Sequence, residues 1–256
     1  MENKFADKKF LFMGDSITAL GMGERGWVKY FSEIINPGLV VNTAVVGCRW
    51  ADNEKTVYNG NPIWSGEPGG DDNHNVIGNQ IEKLLRGKDT THPNYNHVPE
   101  YDDFDYIFIA AGTNDIDNSH EPTDIDAINK QFHITSEEVL PLEQVNRRRW
   151  AGAVRYAYEN LRNMYPNAKI FICSPIQANE HFRDYKSTER KGRMLKAICN
   201  KISDVTFVNT FECGICGIFE TYQKNGRDLI DGLHPNANGA KKMGLYNARV
   251  FLNNVF

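Results

Sequence analysis

The residue types and spacings that stand out along this chain are those acyl transfer needs. Ser16 lies in Gly14-Asp15-Ser16-Ile17-Thr18, directly after the apolar run Phe10-Leu11-Phe12-Met13. A serine hydroxyl is a weak nucleophile until a base takes its proton. His234, in Asp231-Gly232-Leu233-His234-Pro235, is the natural base. Asp231 stands three residues earlier, and Gly232 eases the bend between them. The carboxylate can then reach the far ring nitrogen from within one loop, fixing the tautomer and stabilising the imidazolium. The oxyanion of a tetrahedral intermediate needs preorganised donors. Three candidates are the backbone N–H of Ser16, the backbone N–H of Gly47 and the side-chain amide of Asn114 in Gly112-Thr113-Asn114-Asp115.

These residues need elements that bring their loops together. Continuous apolar runs predict buried strands at Phe10–Met13, Leu39–Val41, Tyr106–Ala110, Lys169–Cys173 and Val205–Val208. Between them, apolar residues at helical spacing predict helices. One carries Trp27, Tyr30, Phe31, Ile34 and Ile35, and a second carries Ile77, Ile81, Leu84 and Leu85 and stops at Gly87. The stretch from Ile125 to Leu140 reads as helical in part. Others run from Ala151 to Tyr165, over Met194, Leu195, Ile198 and Ile202, and from Ala237 to Phe251 with Pro235 suited to the first turn. Strands alternating with helices imply a parallel sheet covered on both faces, a three-layer α/β/α domain. Ser16, Gly47 and Asn114 each follow a predicted strand, where ligands gather in such folds.

Composition narrows the class. At 256 residues the chain fits a single domain over 1–256, with a polar loop insertion at about 48–75. A net charge of -4 gives no electrostatic reason to expect nucleic acid or an anionic membrane as partner. The five cysteines form no even disulfide framework. Cys213 and Cys216 make a Cys-x-x-Cys with no second pair to complete a zinc site, so neither metal nor cofactor is expected. No leader or membrane span is read near the N-terminus, and a cytoplasmic address follows unless a signal peptide has been removed.

In order along the chain, Gly14-Asp15-Ser16, Asn42 to Gly47, Gly112-Thr113-Asn114-Asp115 and Asp231-Gly232-Leu233-His234-Pro235 resemble the four signature blocks of the SGNH (GDSL-type) hydrolases. The resemblance implies a flavodoxin-like sandwich with a five-stranded parallel sheet. It also implies Ser16 as nucleophile, Gly47 and Asn114 completing the oxyanion hole, and Asp231 and His234 as orienter and base. Members are mostly esterases, lipases, thioesterases and carbohydrate deacetylases. The serine lies outside any Gly-x-Ser-x-Gly elbow, which argues against the α/β-hydrolase fold.

The expected activity is cleavage of carboxylic esters through an acyl-enzyme, on a small-molecule or carbohydrate ester and most simply as a short-chain acyl esterase or carbohydrate O-deacetylase. A lysophospholipase or thioesterase is the neighbouring alternative. A non-catalytic carbohydrate-binding protein on the same fold is the alternative of another class. Trp50 and Trp64, in the polar insertion, could stack on a sugar or pin the loop to the body. Both are carried as candidate substrate contacts. So is Asp15, which could instead brace its own turn.

Overall fold

The structure, a computed structural model, describes residues 4–52, 76–115, 141–147 and 149–256. Five strands, β1 (Lys9–Gly14), β2 (Leu39–Asn42), β3 (Tyr106–Ala110), β4 (Lys169–Cys173) and β5 (Val205–Val208), form one sheet in the order β2-β1-β3-β4-β5. Every pairing is parallel. The helices are α1 (Ser16–Ala19), α2 (Trp27–Ile35), α3 (Ile77–Lys88), α4 (Trp150–Met164), α5 (Tyr185–Cys199) and α6 (Ala237–Val255). The sequence reading that placed a helix in Ile125–Leu140 falls outside the described residues, as does most of the 48–75 insertion.

Alternation along the strands divides the core into two layers. Leu11, Met13, Ile107, Ile109, Ile170 and Ile172 face the layer formed by α3, α4 and α5. Phe10, Phe12, Phe108 and Phe171 face the opposite layer with Trp27 and Phe31 of α2 and Phe251 of α6. Register explains the aromatic side: Phe12 pairs with Phe108, and Phe108 with Phe171. Their rings stack with centroids 5.4 and 4.6 Å apart. Each buried phenylalanine contributes about 2–3 kcal/mol of hydrophobic stabilisation. The row fixes the spacing of β1, β3 and β4 beneath the site.

Two local expectations are overridden by packing. Gly87 does not stop α3, which runs on to Lys88. A Cβ there would lie 2.5 Å from the Tyr101 ring, so the glycine serves close packing inside the helix. Pro235 does not open α6. The helix starts at Ala237, capped by the Asn236 side chain, while Pro235 pairs in an antiparallel bridge with Leu229. The α5 segment begins earlier than its apolar spacing suggests, at Tyr185 with Asp184 capping, and closes at Cys199 before Ile202.

Candidate active site

In this strand order the chain leaves β1 and β3 toward opposite sides of the sheet, opening a crevice at their carboxyl ends. The Ser16 turn fills one lip of it. Gly14 has φ +148°, and a Cβ there would lie 2.1 Å from the Ala110 carbonyl oxygen. Only glycine fits so close an approach. Gln80 of α3 clamps the same residue from above: its Oε1 accepts from Gly14 N–H at 3.0 Å and its Nε2 donates to Gly14 C=O at 2.7 Å. Asp15 then caps α1, with Oδ1 accepting from Ile17 N–H at 3.0 Å. Ser16 becomes the first residue of a one-turn helix, where sequence pattern alone suggests a plain turn.

The other half of the site comes from the loop before α6. Glu220 accepts from the backbone N–H groups of Asp228 and Leu229, and Ile230 N–H donates to His234 C=O at 2.8 Å. Gly232 takes φ +90°, where a Cβ would press on Thr221 and Asn179. That bend brings Asp231 and His234 together. Asp231 Oδ1 accepts from the N–H groups of Leu233 and His234 at 2.8 and 2.7 Å, and Oδ2 meets His234 Nδ1 at 2.8 Å. These hydrogen bonds outweigh the opposing effect of partial burial and hold the Asp231 carboxyl below the usual range. An ionised carboxylate at Nδ1 places the ring hydrogen there, leaving Nε2 to accept. Nε2 lies 2.9 Å from Ser16 Oγ.

The third component is the loop pair around Gly47 and Asn114. Thr43 N–H and Val45 N–H donate to Phe12 C=O and Gly14 C=O, tying this loop to the end of β1. Gly47 turns it with φ +76°. Asn114 Nδ2 donates to Cys48 C=O at 3.1 Å, joining the β3 loop to the Gly47 loop. Among the described residues, the backbone N–H groups of Ser16 and Gly47 donate to nothing. Both N–H groups are therefore free to donate to a bound group.

Residues that sequence reasoning weighed differently also lie here. Trp50 is not a surface for substrate. It is fully buried, its indole N–H donating to Ala111 C=O at 3.1 Å, because Asp115 draws the loop inward. Asp115 accepts from Trp50 N–H, Ala51 N–H and Trp150 Nε1–H, each at 3.0 Å. Asp15 is 2% exposed, too enclosed for a substrate contact. Trp64 lies outside the described residues. Arg183, which no local pattern marks, donates from Nε to Thr113 C=O and from Nη2 to Asn114 Oδ1 at 3.5 Å.

Burial pushes the Asp15 carboxyl up to about 6, against the pull of the Ile17 N–H, Thr113 and His234. The fold therefore holds this proton more tightly than the unfolded chain does between about pH 4 and 6. Ionised Asp15 costs about 3 kcal/mol at neutral pH, and stability is regained as pH falls through that window. Asp15→Asn keeps a capping side chain and removes the charge. The melting temperature of the variant is expected to exceed that of the parent near pH 7, with the gap closing near pH 4. A gap of the same size at both pH values would place the penalty elsewhere.

The chain matches the model of the GDSL-like lipase/acylhydrolase family over residues 12–242. It belongs to that family. A multidomain esterase from Ruminococcus flavefaciens is 26% identical over 249 residues, covering 93% of this chain. The chain spans 28% of that relative's length. Among solved structures, a possible lipase from Chitinophaga pinensis superposes with TM-score 0.59 at 15% identity, covering 96% of this chain and 98% of the other. Est24, a carbohydrate acetylesterase from Sinorhizobium meliloti, does so with TM-score 0.56 at 17% identity, over 98% of this chain and 100% of its own. At these identities the structures establish a shared α/β fold.

Proposed function

We propose that this acylhydrolase-family chain cleaves short-chain acyl esters of carbohydrates by a serine acyl-enzyme mechanism. The observation that carries the reading is the continuous chain Ser16 Oγ, His234 Nε2, His234 Nδ1, Asp231 Oδ2, with links of 2.9 and 2.8 Å. In the first half-reaction His234 Nε2 takes the hydroxyl proton as Ser16 Oγ bonds to the ester carbonyl carbon. The carbonyl π electrons move to oxygen, which sits among Ser16 N–H, Gly47 N–H and Asn114 Nδ2. Collapse breaks the bond to the alcohol oxygen, which receives the proton from His234. A water then repeats the sequence on the acyl-enzyme, freeing the acid and restoring Ser16.

The carbohydrate part rests on what borders the site. Gln223 N–H donates to Asp231 C=O at 2.8 Å, so the neighbouring Tyr222 stands beside the catalytic loop. Its ring meets His181 edge-on and Phe182 at a tilt, with centroids 4.4 and 4.8 Å away. Partly exposed aromatic rings ringed by polar side chains suit the apolar face of a sugar. The acetylesterase activity named for Est24 points the same way.

A series of model esters tests the proposal. Acetyl and propionyl esters and acetylated sugars are expected to turn over fastest, with kcat/KM falling as the acyl chain passes about eight carbons. A rise with chain length would favour a lysophospholipase, and a preference for thioesters a thioesterase. A serine-directed phosphonate that leaves Ser16 unmodified in the folded protein would leave only a carbohydrate-binding role.

A further inference from the structure

We propose that Gln80 is a positioning residue for ester hydrolysis: from α3 it sets the spacing of the oxyanion donors by fastening the Ser16 turn to the loop that carries Gly47 and holds Asn114. The inference deepens the hydrolase reading above and rests on it.

Gln80 is 1% exposed, and both ends of its amide are engaged. Oε1 accepts from Gly14 N–H at 3.0 Å, while Nε2 donates to Gly14 C=O at 2.7 Å and to Cys48 Sγ at 3.1 Å. The amide has one orientation, because Gly14 N–H demands an acceptor and Gly14 C=O a donor. Strand pairing explains the need. β2 ends at Asn42, opposite Phe12, and does not reach Gly14. The glutamine amide takes the place of a further β2 residue at the last position of β1. Past that point the chain is fixed toward β3, where Asp15 N–H donates to Ala110 C=O at 3.2 Å. Ser16 N–H is the next donor along, so the clamp on Gly14 sets where it stands.

The other end of the connection is Cys48, next to Gly47. Burial, reinforced by Asp15 and Asp115, pushes its thiol pKa up. The protonated sulfur accepts from Gln80 and donates to Arg49 C=O at 3.5 Å. The backbone carbonyl of the same residue accepts from Asn114 Nδ2 at 3.1 Å. Val45 N–H, in the same loop, shares Gly14 C=O with Gln80, at 3.0 Å. One amide thus joins all three donors: Ser16 N–H through Gly14, Gly47 N–H through the Cys48 thiol, and Asn114 through the Cys48 carbonyl. Its helix is anchored to that loop as well. Ile77 N–H donates to Arg49 C=O at 2.9 Å, and Ile77, Ile81 and Leu84 are buried in the core.

A hydrocarbon side chain would fill this position, beside Cys48 and Ile81, without the cost of burying an amide. What the amide adds is a fixed distance between donors. Oxyanion donors act only when preorganised where charge develops, and a displacement of about 1 Å can cost about a hundredfold in rate. The neutral carbonyl of bound substrate depends on that spacing far less. The signature of lost positioning is therefore a fall in kcat at nearly constant KM.

The test uses hydrolysis of p-nitrophenyl acetate by the full chain. Gln80→Met, close in length but unable to clamp Gly14, is expected to lower kcat about 30- to 100-fold with KM within about threefold of the parent. Ethylboronic acid, whose tetrahedral adduct on Ser16 sets an oxygen at the oxyanion position, should bind more weakly by a similar factor. The rise of kcat/KM with pH, set by His234, should keep its midpoint. Cys48→Ala cuts the same connection at its other end and should lower kcat about tenfold. The double variant should fall no further than Gln80→Met alone, since both changes remove one link. A folded Gln80→Met with kcat within about threefold of the parent overturns the positioning role, as does one that loses kcat while boronate affinity holds or the pH midpoint moves. Thermal unfolding shows whether the variant folds, and if Gln80→Met does not, Cys48→Ala decides on the same readouts. A parent that cleaves the ester while both variants match it removes this inference and leaves the hydrolase reading standing. A parent that neither cleaves the ester nor takes a phosphonate at Ser16 removes both.

Discussion

Alanine at Ser16 or at His234 is expected to abolish turnover, with kcat falling on the order of 10⁴- to 10⁶-fold for either change. The two side chains act as one unit: without the imidazole the hydroxyl keeps its proton, and without the hydroxyl the imidazole has nothing to activate. The double variant should therefore be no worse than either single one, the residual rate coming from the oxyanion donors and binding. Folding should survive. Among the described residues Ser16 Oγ bonds only to His234 Nε2, α1 is held by the Asp15 cap, and Glu220 holds the backbone of the Asp231 loop independently of the ring. The check is kcat alongside the thermal midpoint. A Ser16→Ala variant retaining more than about a hundredth of the parent rate would remove Ser16 as nucleophile.

The parts of this site that can be read from sequence are those whose signals are local. Asp231 and His234 sit three residues apart around a glycine, and that spacing alone lets one loop close the carboxylate onto the ring. Ser16 and Asn114 each follow an apolar run at once, so strand periodicity already places them at the crevice. The sheet is legible for the same reason. Its strands are continuous apolar runs, and crossover helices leave the parallel arrangement as the natural one.

What the sequence hides depends on distant partners. Gln80 reads as a polar residue on a helix, yet it is buried and holds both backbone groups of Gly14 across 66 positions. Arg183 sits in a loop with no periodicity, and its meaning comes from Thr113 and Asn114, about 70 positions away. Of the two roles open to Trp50, pinning the loop to the body is the one the structure takes, because Asp115 satisfies the backbone of that stretch and lets the indole sink into the core. Gly87 and Pro235 mislead differently: the helix rules governing them are worth about 1–3 kcal/mol, which tertiary contacts override.

Asn114→Ala should produce the second largest loss, about 10²- to 10³-fold in kcat with little change in KM. The amide cannot flip freely, because Cys48 C=O demands a donor on one side and the Arg183 guanidinium demands an acceptor on the other. That assigns Nδ2 toward Cys48 and leaves one of its two hydrogens for the oxyanion. A donor aimed at the charge that develops, rather than at the neutral carbonyl, stabilises the transition state more than bound substrate. Asn114→Asp sharpens the test. It keeps the shape and an oxygen for Arg183, but it sets a carboxylate where negative charge must form, so it should lose at least as much rate as alanine. If Asn114→Ala instead lowers the melting temperature and raises KM while kcat holds, the residue is a clamp on the Cys48 loop. The oxyanion would then rest on the N–H groups of Ser16 and Gly47 alone.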